Sequence, residues 1–400
     1  MTTSQKALII GCGIAGPVMA LFLQQVGIAA EVYEAQPAGL DEAGAFLNLA
    51  PNGVNILKML EIDHRLETAG FHSAGMTFFN GSGKRLAHLD SSQEEQRYGS
   101  RNVMIKRGQL HRVLREETVR RGIPVHFNKK LIGIRPNGLQ GVTARFEDGT
   151  EANGLLLIGC DGIHSRTRQL VFPNAPQPAY TGLVDCGGFA RLATGLPASE
   201  GMQMTFGKKA FFGYIAKADG EVYWFSNVAW PAEPQRNELA AISDAAWRER
   251  LLHNHGSDPA PIPAIIRATP GAIGKWPVYD MPSLPTWHKG PVCLIGDAAH
   301  ATSPHSGQGA SLALEDAAVL AQCLRDTLKV EHAFARFESL RKNWVEKIVR
   351  QARRTGSGKV ATNPVAVWLR DLVLPFFIRM GAKASEPVLS YKVEWEQEVA

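Results

Sequence analysis

Three short apolar runs end in Ile-Gly, far apart along the chain: Ala7-Leu8-Ile9-Ile10-Gly11, Leu155-Leu156-Leu157-Ile158-Gly159 and Val292-Cys293-Leu294-Ile295-Gly296. Each passes at once into a polar or glycine-rich turn. Short apolar runs bounded by glycine predict strands buried on both faces of a parallel sheet. Open α/β sheets bind ligands beyond the carboxyl ends of such strands. Three strand ends are therefore expected to face one long ligand. Residues 6–34 read as strand, helix, strand. The stretch 14–26 is apolar and alanine-rich, Gly27 stands where a left-handed cap is expected, and Glu34 closes the second strand. Further helix patterns cover 52–60 and 107–121, the latter with Leu110, Val113 and Leu114 on one face. Strands are expected at 125–127, 131–134 and 142–146, with a hairpin turn at Asp148-Gly149.

Between 182 and 229 the pattern changes. Runs rich in aromatic and branched residues are separated by turns at Gly207 and Asp219-Gly220, which predicts an antiparallel sheet. Residues 71–100 alternate weakly and read as an excursion into this second unit. The expected fold is α/β: a discontinuous Rossmann-like domain from residues 1–70, 101–175 and 276–330, an antiparallel-sheet domain from 71–100 and 176–275, and a helical region from 331–400. Near the end, apolar runs at 360–369 and 372–378 are interrupted by Arg370, Asp371 and Pro375. No stretch reaches the ~20 residues of a membrane span, and an amphipathic helix docked on the body is expected instead.

Composition narrows the partners. The 400 residues are 45% hydrophobic and 20% charged, with a net charge of +5 spread along the chain, which points away from nucleic acid. The five cysteines (Cys12, Cys160, Cys186, Cys293 and Cys323) show no metal-ligand spacing. Three sit in or beside the buried strands as free thiols, which fits a reducing compartment and a cytoplasmic location. The apolar stretch 7–26 contains a strand, a turn and a helix pattern, so it is not a signal peptide. Monomer and homodimer both stay open.

Gly11-x-Gly13-x-x-Gly16 follows a strand and opens a helix. Its glycines suit a tight turn, close approach of backbone to a pyrophosphate, and close strand–helix packing. The helix start offers free N–H groups to phosphate, and Glu34 is placed to accept from a ribose. Asp297 follows a buried strand, where an unpaired carboxylate is costly. Gly307 and Gly309 mark a loop that leads into a helix over 309–328, whose start carries a positive dipole end. In the second unit, strand alternation sends Phe212 and Tyr214 to one face and Phe211 to the other. Phe212 and Tyr214 are expected to roof a substrate cavity opposite Phe46 and Asn48, with Tyr214 the best polar group to orient a substrate. Tyr214 and His305 are the two catalytic candidates; His300 is expected to bond locally.

Cys160-Asp161-Gly162-Ile163-His164-Ser165 with Arg168 forms a second signature. Gly296-Asp297-Ala298-Ala299-His300, with Pro304 and Gly307-Gln308-Gly309, forms a third. With the glycine motif, these resemble the class A flavoprotein monooxygenases, the family of para-hydroxybenzoate hydroxylase, over residues 5–330. The resemblance implies FAD as cofactor, NADPH or NADH as a transient co-substrate, and O2. It implies that Gly11, Gly13, Ile14, Ala15, Gly16, Glu34 and Ala35 hold the ADP half, and that Arg107 reaches the middle of the cofactor. Leu131 joins the cofactor contacts, Asp161 and Gly162 serve FAD and the nicotinamide, and Gly296 and Asp297 meet the ribityl chain. Pro304, Gly307, Gly309 and Ala310 line the flavin ring, with Pro304 and His305 also facing substrate. The implied reaction is hydroxylation of an aromatic or polyketide-like small molecule through a C4a-hydroperoxide of the flavin, with no metal. One departure stands out: Asp280-Met281 occupies the place where family members often carry Asp-Arg. The alternatives are a flavin-dependent halogenase, whose Trp-x-Trp-x-Ile-Pro segment is not matched by Trp-Phe-Ser-Asn-Val-Ala-Trp-Pro at 224–231, a flavin reductase, and a non-enzymatic escort that binds a prenyl group or partner.

Overall fold

The three Ile-Gly runs stand side by side. In a computed structural model, which describes residues 6–39, 45–138, 141–356 and 364–399, Val292–Leu294, Leu156–Gly159 and Ala7–Ile10 are neighbouring parallel strands of a six-stranded sheet. Ala30–Tyr33 and Val125–His126 continue it in parallel on one side, and His288–Lys289 adds an antiparallel edge on the other. The register carries the ladder past the strand ends. Ile295 N–H donates to Gly159 O, Cys160 N–H to Ile10 O, and Gly11 N–H to Tyr33 O. Gly296, Cys160 and Gly11 thereby reach one edge of the sheet. Helices Ala15–Gln25 and Gly309–Asp326 bury their apolar sides in the core on one face. A three-stranded sheet (Leu131–Pro136, Val142–Phe146, Glu151–Gly154) seals the other face through Leu8, Ile10 and Leu157.

The second unit is a seven-stranded sheet in the order Gly274–Asp280, Ala179–Arg191, Glu221–Ala229, Phe211–Ala216, Met202–Phe206, Gly75–Asn80, Arg85–Asp90. Two expectations are corrected here. The sheet is mixed, because Met202–Phe206 and Gly75–Asn80 pair in parallel; the long excursion between them lets the chain re-enter in the same direction. Strand Gly274–Asp280 pairs with Ala179–Arg191, so the boundary expected at residue 276 falls inside a strand. One face of this sheet is covered by helices Asp244–His255 and Ile262–Ala268. The other faces a two-stranded ribbon, Phe46–Leu49 with Val103–Lys106.

Helix Val330–Gly356 packs on Gly309–Asp326. The last helix runs from Pro364 to Leu389 straight through Pro375 and Pro387, so Pro375 is no interruption. Each proline removes one backbone hydrogen bond, which an exposed helix replaces with water. The apolar run read from residue 360 begins outside the described residues. The final segment is not helical either: residues 390–399 fold back, with Trp395 on Phe22 (ring centroids 5.1 Å) and Gln322 donating to Glu394 O and Gln397 O. All five cysteines are free and buried.

Candidate functional site

At the first strand end, Gly11 adopts a left-handed backbone (φ +103°), and a Cβ there would lie 2.5 Å from Cys160 O. A Cβ on Gly16 would meet Gly11 O at 2.0 Å. These two glycines close the turn and press helix on strand. Gly13 differs: a Cβ there would meet nothing within 4 Å. That side is open space, as a cradle for a phosphate group requires. The helix starting at Ala15 has no side-chain cap and no acidic residue in its first turn, so its N–H groups and positive dipole end are free for an anion. The Glu34 carboxylate is held by Cys12 N–H (2.7 Å) and Gln36 N–H (2.9 Å), which orients it while leaving acceptor capacity for a ribose. Ala35 follows it, exposed. The Leu131 side chain packs into the core behind Tyr33 and Phe146, so any contact from this residue to a nucleotide must come from its backbone.

At the second end, Asp161 accepts from Ser165 Oγ (2.5 Å), Thr167 N–H (2.8 Å) and Thr167 Oγ1 (3.0 Å). It thereby satisfies an N-terminal N–H of the helix Arg166–Val171, which Ser165 caps, and burial pushes its carboxyl pKa up despite those donors. Gly162 is left-handed (φ +75°) with open space on its Cβ side. Arg168 is fully buried and donates to Ile163 O (2.6 Å) and Ala298 O (2.7 Å), stitching the second signature to the third.

At the third end, Gly296 is left-handed (φ +57°) and its Cβ side abuts Ala313 and Ala15. Among the described residues none hydrogen-bonds to the Asp297 carboxylate. Burial raises its pKa, and the charges of Arg107 and His300 only partly offset this. A half-buried carboxylate without donors in a desolvating cleft is unfavourable by itself, and the hydroxyls of a ribityl chain would supply the missing donors. Arg107 opens the helix Arg107–Arg120 on the exposed side of this cleft. Pro304 lies exposed on a single 3-10 turn, Gly307 is left-handed, and Gly309 and Ala310 start a helix with no side-chain cap and no acidic first turn. The side chain of His305 lies outside the described residues. Together these groups fit FAD: an uncapped helix and an open glycine for the pyrophosphate, Glu34 for the ribose, Asp297 for the ribityl chain, and a second uncapped helix beside the ring loop.

Behind the ring loop lies a buried ionic network that sequence reading missed. His300 Nε2 is 2.5 Å from Asp316 Oδ2, which also accepts from Gly296 N–H (3.0 Å). Arg341 donates to Asp316 Oδ1 (2.9 Å) and Glu315 Oε2 (2.7 Å). Asn52 donates to Glu315 Oε1 (2.6 Å) and to Gln308 Oε1 (3.0 Å) in the loop itself. Burial opposes ionisation of Asp316, but His300 and Arg341 outweigh it and bring its pKa down to about 2. His300 thus bonds to a buried carboxylate of the neighbouring helix. The available signal was the pair Glu315-Asp316 inside an otherwise apolar helix, where two carboxylates require a buried cation.

The roof is the main correction. Phe212 is fully buried, stacked on Trp224 (5.3 Å) and edge-on to His255 (5.1 Å), and Tyr214 packs in the same cluster. Both face the covering helices, away from the ribbon. Alternation fixes which residues share a face but not which face turns inward, and both faces here are aromatic. The side facing the ribbon carries Met204, Phe211, Ile215, Tyr223 and Phe225 instead. Across from it stand Phe46, Asn48 and Met104 on one side of the ribbon. Phe46 meets Tyr223 (5.3 Å) and Phe225 (6.1 Å). Asn48 Oδ1 is buried with no hydrogen-bond partner among the described residues. Lys106 and Lys217 border this aromatic layer over the Tyr223 ring, and Glu221 neutralises both, at 2.7 and 3.2 Å. At Asp280, where the family arginine is absent, Arg353 from helix Val330–Gly356 forms a two-pronged bond at 2.5 and 2.7 Å. Among the described residues no His/Cys/Asp/Glu group is arranged for a metal.

Residues 4–352 match the family model described as FAD binding domain. An FAD-dependent urate hydroxylase of Klebsiella pneumoniae is 31% identical over 351 residues, covering 87% of this chain and 89% of that protein. The aurachin C monooxygenase/isomerase of Stigmatella aurantiaca is 29% identical over 375 residues, covering 94% of each chain. The crystal structure of Klebsiella pneumoniae HpxO complexed with FAD and uric acid superimposes with a TM-score of 0.85 at 28% identity, covering 96% of this chain and 97% of that one.

Proposed function

The chain belongs to the FAD-dependent monooxygenases of the aromatic hydroxylase family, and we propose that it hydroxylates an uncharged, planar, largely apolar aromatic ring bearing one hydrogen-bond donor, with NADPH or NADH as reductant. The observation that carries this reading is the layer of side chains where the ribbon faces the sheet. Its side chains are largely aromatic and thioether groups, its bordering lysines are already paired with Glu221, and among its described residues the buried polar atom left unsatisfied is Asn48 Oδ1. A buried acceptor left without a partner costs about 1–3 kcal/mol, so an N–H or O–H on the substrate gains by filling it. An anionic substrate finds no unpaired cation among the described wall residues.

Gly13, Glu34 and the helix from Ala15 would bind the ADP half of FAD, Arg107 its middle, and Asp297 its ribityl chain. Bound FAD supplies hydride acceptance and oxygen activation. The chain supplies positioning and dryness. The helix starting at Gly309 directs its positive end at the ring loop, which favours negative charge on a reduced ring. The apolar walls exclude water, which limits unproductive loss of activated oxygen. Tyr223 has its pKa pushed up to about 12 by burial and by Glu221, so it stays protonated and can donate a hydrogen bond but not act as a base at neutral pH. Tyr214 takes no part. The buried free thiols support a reducing compartment.

Screening aromatic compounds for stimulated NADPH and NADH oxidation, with mass analysis for one added oxygen, tests this reading. Neutral rings with one donor are expected to stimulate oxidation and gain oxygen. Stimulation confined to anionic aromatics overturns it.

A further inference from the structure

The last helix turns an apolar stripe away from the protein. Of the ten exposed large hydrophobic residues among those described, six lie on this helix: Leu369 (53%), Leu372 (65%), Val373 (38%), Phe376 (67%), Phe377 (53%) and Met380 (49%). Their spacing is i, i+3, i+4, i+7, i+8, i+11, which is one continuous helical face about 17 Å long at 1.5 Å per residue. Soluble monomers seldom leave such a stripe uncovered. The inner side of the helix is held by other groups. Asn80 donates to Asp371 (2.9 Å), and Arg370 donates to Phe206 O (3.0 Å) and Gly207 O (3.2 Å). The amphipathic helix expected from sequence therefore docks, but with its most exposed apolar residues outward.

Charge around the stripe selects the partner. The two loops on which Arg370 and Asp371 dock carry exposed Lys84, Lys208 and Lys209, and exposed Arg85 starts the strand that follows the first. Arg379 and Lys383 follow on the helix itself, also exposed. Asp371 is tied to Asn80 and Arg370, which leaves Glu386, beyond the stripe, as the exposed carboxylate of the helix. An apolar helical face rimmed by cations matches a surface that is apolar below and anionic at its head groups. No helix among the described residues is long and apolar enough to cross a membrane, so the contact must lie in the plane of the surface.

We propose that the last helix lays the stripe from Leu369 to Met380 into the interfacial region of an anionic lipid bilayer. The placement has a functional sense. A row of ring contacts runs from Phe46 through Phe225 (6.1 Å), Phe211 (5.9 Å) and Phe206 (4.9 Å) to the Arg370 guanidinium (5.7 Å). The helix thus sits at the outer end of the wall that lines the proposed substrate space, and docking would bring that wall to a reservoir of apolar molecules. The inference itself stands on the helix and its rim, not on the substrate.

The test uses the full-length, FAD-loaded protein and sedimentation with extruded vesicles, either pure phosphatidylcholine or phosphatidylcholine with phosphatidylglycerol. The wild type is expected to sediment with the anionic vesicles, more weakly with neutral ones, and less as salt rises. L372E/F376E should lower partitioning at least about tenfold while keeping FAD content. K84Q/K208Q/K209Q leaves the stripe intact and should lower anionic binding about fivefold per charge removed, which guards against a helix variant that fails to fold. Three results overturn the proposal: wild type that remains in the supernatant with both vesicle types, vesicle binding unchanged in both variants, or a wild-type dimer by light scattering that L372E/F376E converts to monomer, which makes the stripe a contact between two copies of the chain.

Discussion

Alanine at Gly13 and alanine at Gly16 should have opposite consequences, although the two sites lie three residues apart. A Cβ on Gly16 meets Gly11 O at 2.0 Å, Gly11 C at 3.1 Å and Ile9 Cγ2 at 3.3 Å. The nearest obstacles are backbone atoms of the adjoining strand end, so helix and strand must separate. Overpacking of this kind costs about 1–3 kcal/mol or more. A Cβ on Gly13 meets nothing within 4 Å and its φ is not positive. Gly13→Ala should leave the apo-protein as stable as wild type, or up to about 1 kcal/mol more stable through a stiffer unfolded chain. Its methyl would instead stand in the phosphate cradle. Losing two hydrogen bonds to a charged phosphate, at about 1.5 kcal/mol each, weakens FAD binding by about 3 kcal/mol, or more than a hundredfold. Thermal melts of both apo-proteins and fluorescence titration with FAD read the two effects separately. A Gly13→Ala protein that binds FAD within about threefold of wild type, or a Gly16→Ala apo-protein that melts with wild type, refutes the assignment.

Further outcomes follow from the same geometry. Asp297→Asn should bind FAD more weakly; in the wild type, FAD affinity should fall on acidification at a higher pH than an ordinary carboxylate gives, because burial raises the Asp297 pKa, and titration across pH should show that limb missing in the variant. Arg341→Leu strands Glu315 and Asp316 in the core, and denaturant unfolding should show a loss of about 3–5 kcal/mol. The depressed Asp316 pKa gives stability that is complete above about pH 4 and lost as pH falls towards about 2, so Asp316→Asn should flatten acid unfolding in that window. Asn48→Leu should raise KM about tenfold for a donor-bearing ring with FAD content unchanged, whereas Tyr214→Phe should leave turnover and flavin content as they are; steady-state kinetics with the stimulating compound distinguishes them.

The sequence carried the nucleotide side of the site because its signals are local. A buried run ending in Ile-Gly needs only its own residues to declare a strand end, and Gly11, Gly16 and Glu34 stand within the same strand-turn-helix-strand unit. The substrate side was not local. Phe212 with Trp224 and Phe211 with Phe225 are equally credible inward pairs until the helices Asp244–His255 and Ile262–Ala268 are known to cover the former. The ionic network was hidden for a similar reason: Arg341 lies 25 residues from Asp316 on another helix, and only their packing makes them partners. The last helix is apolar on much of its circumference, so its periodicity could not say which stripe would be buried.

The most direct measurement is a ligand titration of the FAD-loaded protein, using an aromatic compound that stimulates NADPH or NADH oxidation and following the visible spectrum of the flavin. A ring held between ribbon and sheet beside the ring loop should perturb that spectrum with one saturating site per chain; Phe225→Ala should weaken the perturbation and Tyr214→Phe should preserve it. A spectrum untouched by the stimulating compound, or one that depends on Tyr214 and not on Phe225, contradicts the placement of the substrate space.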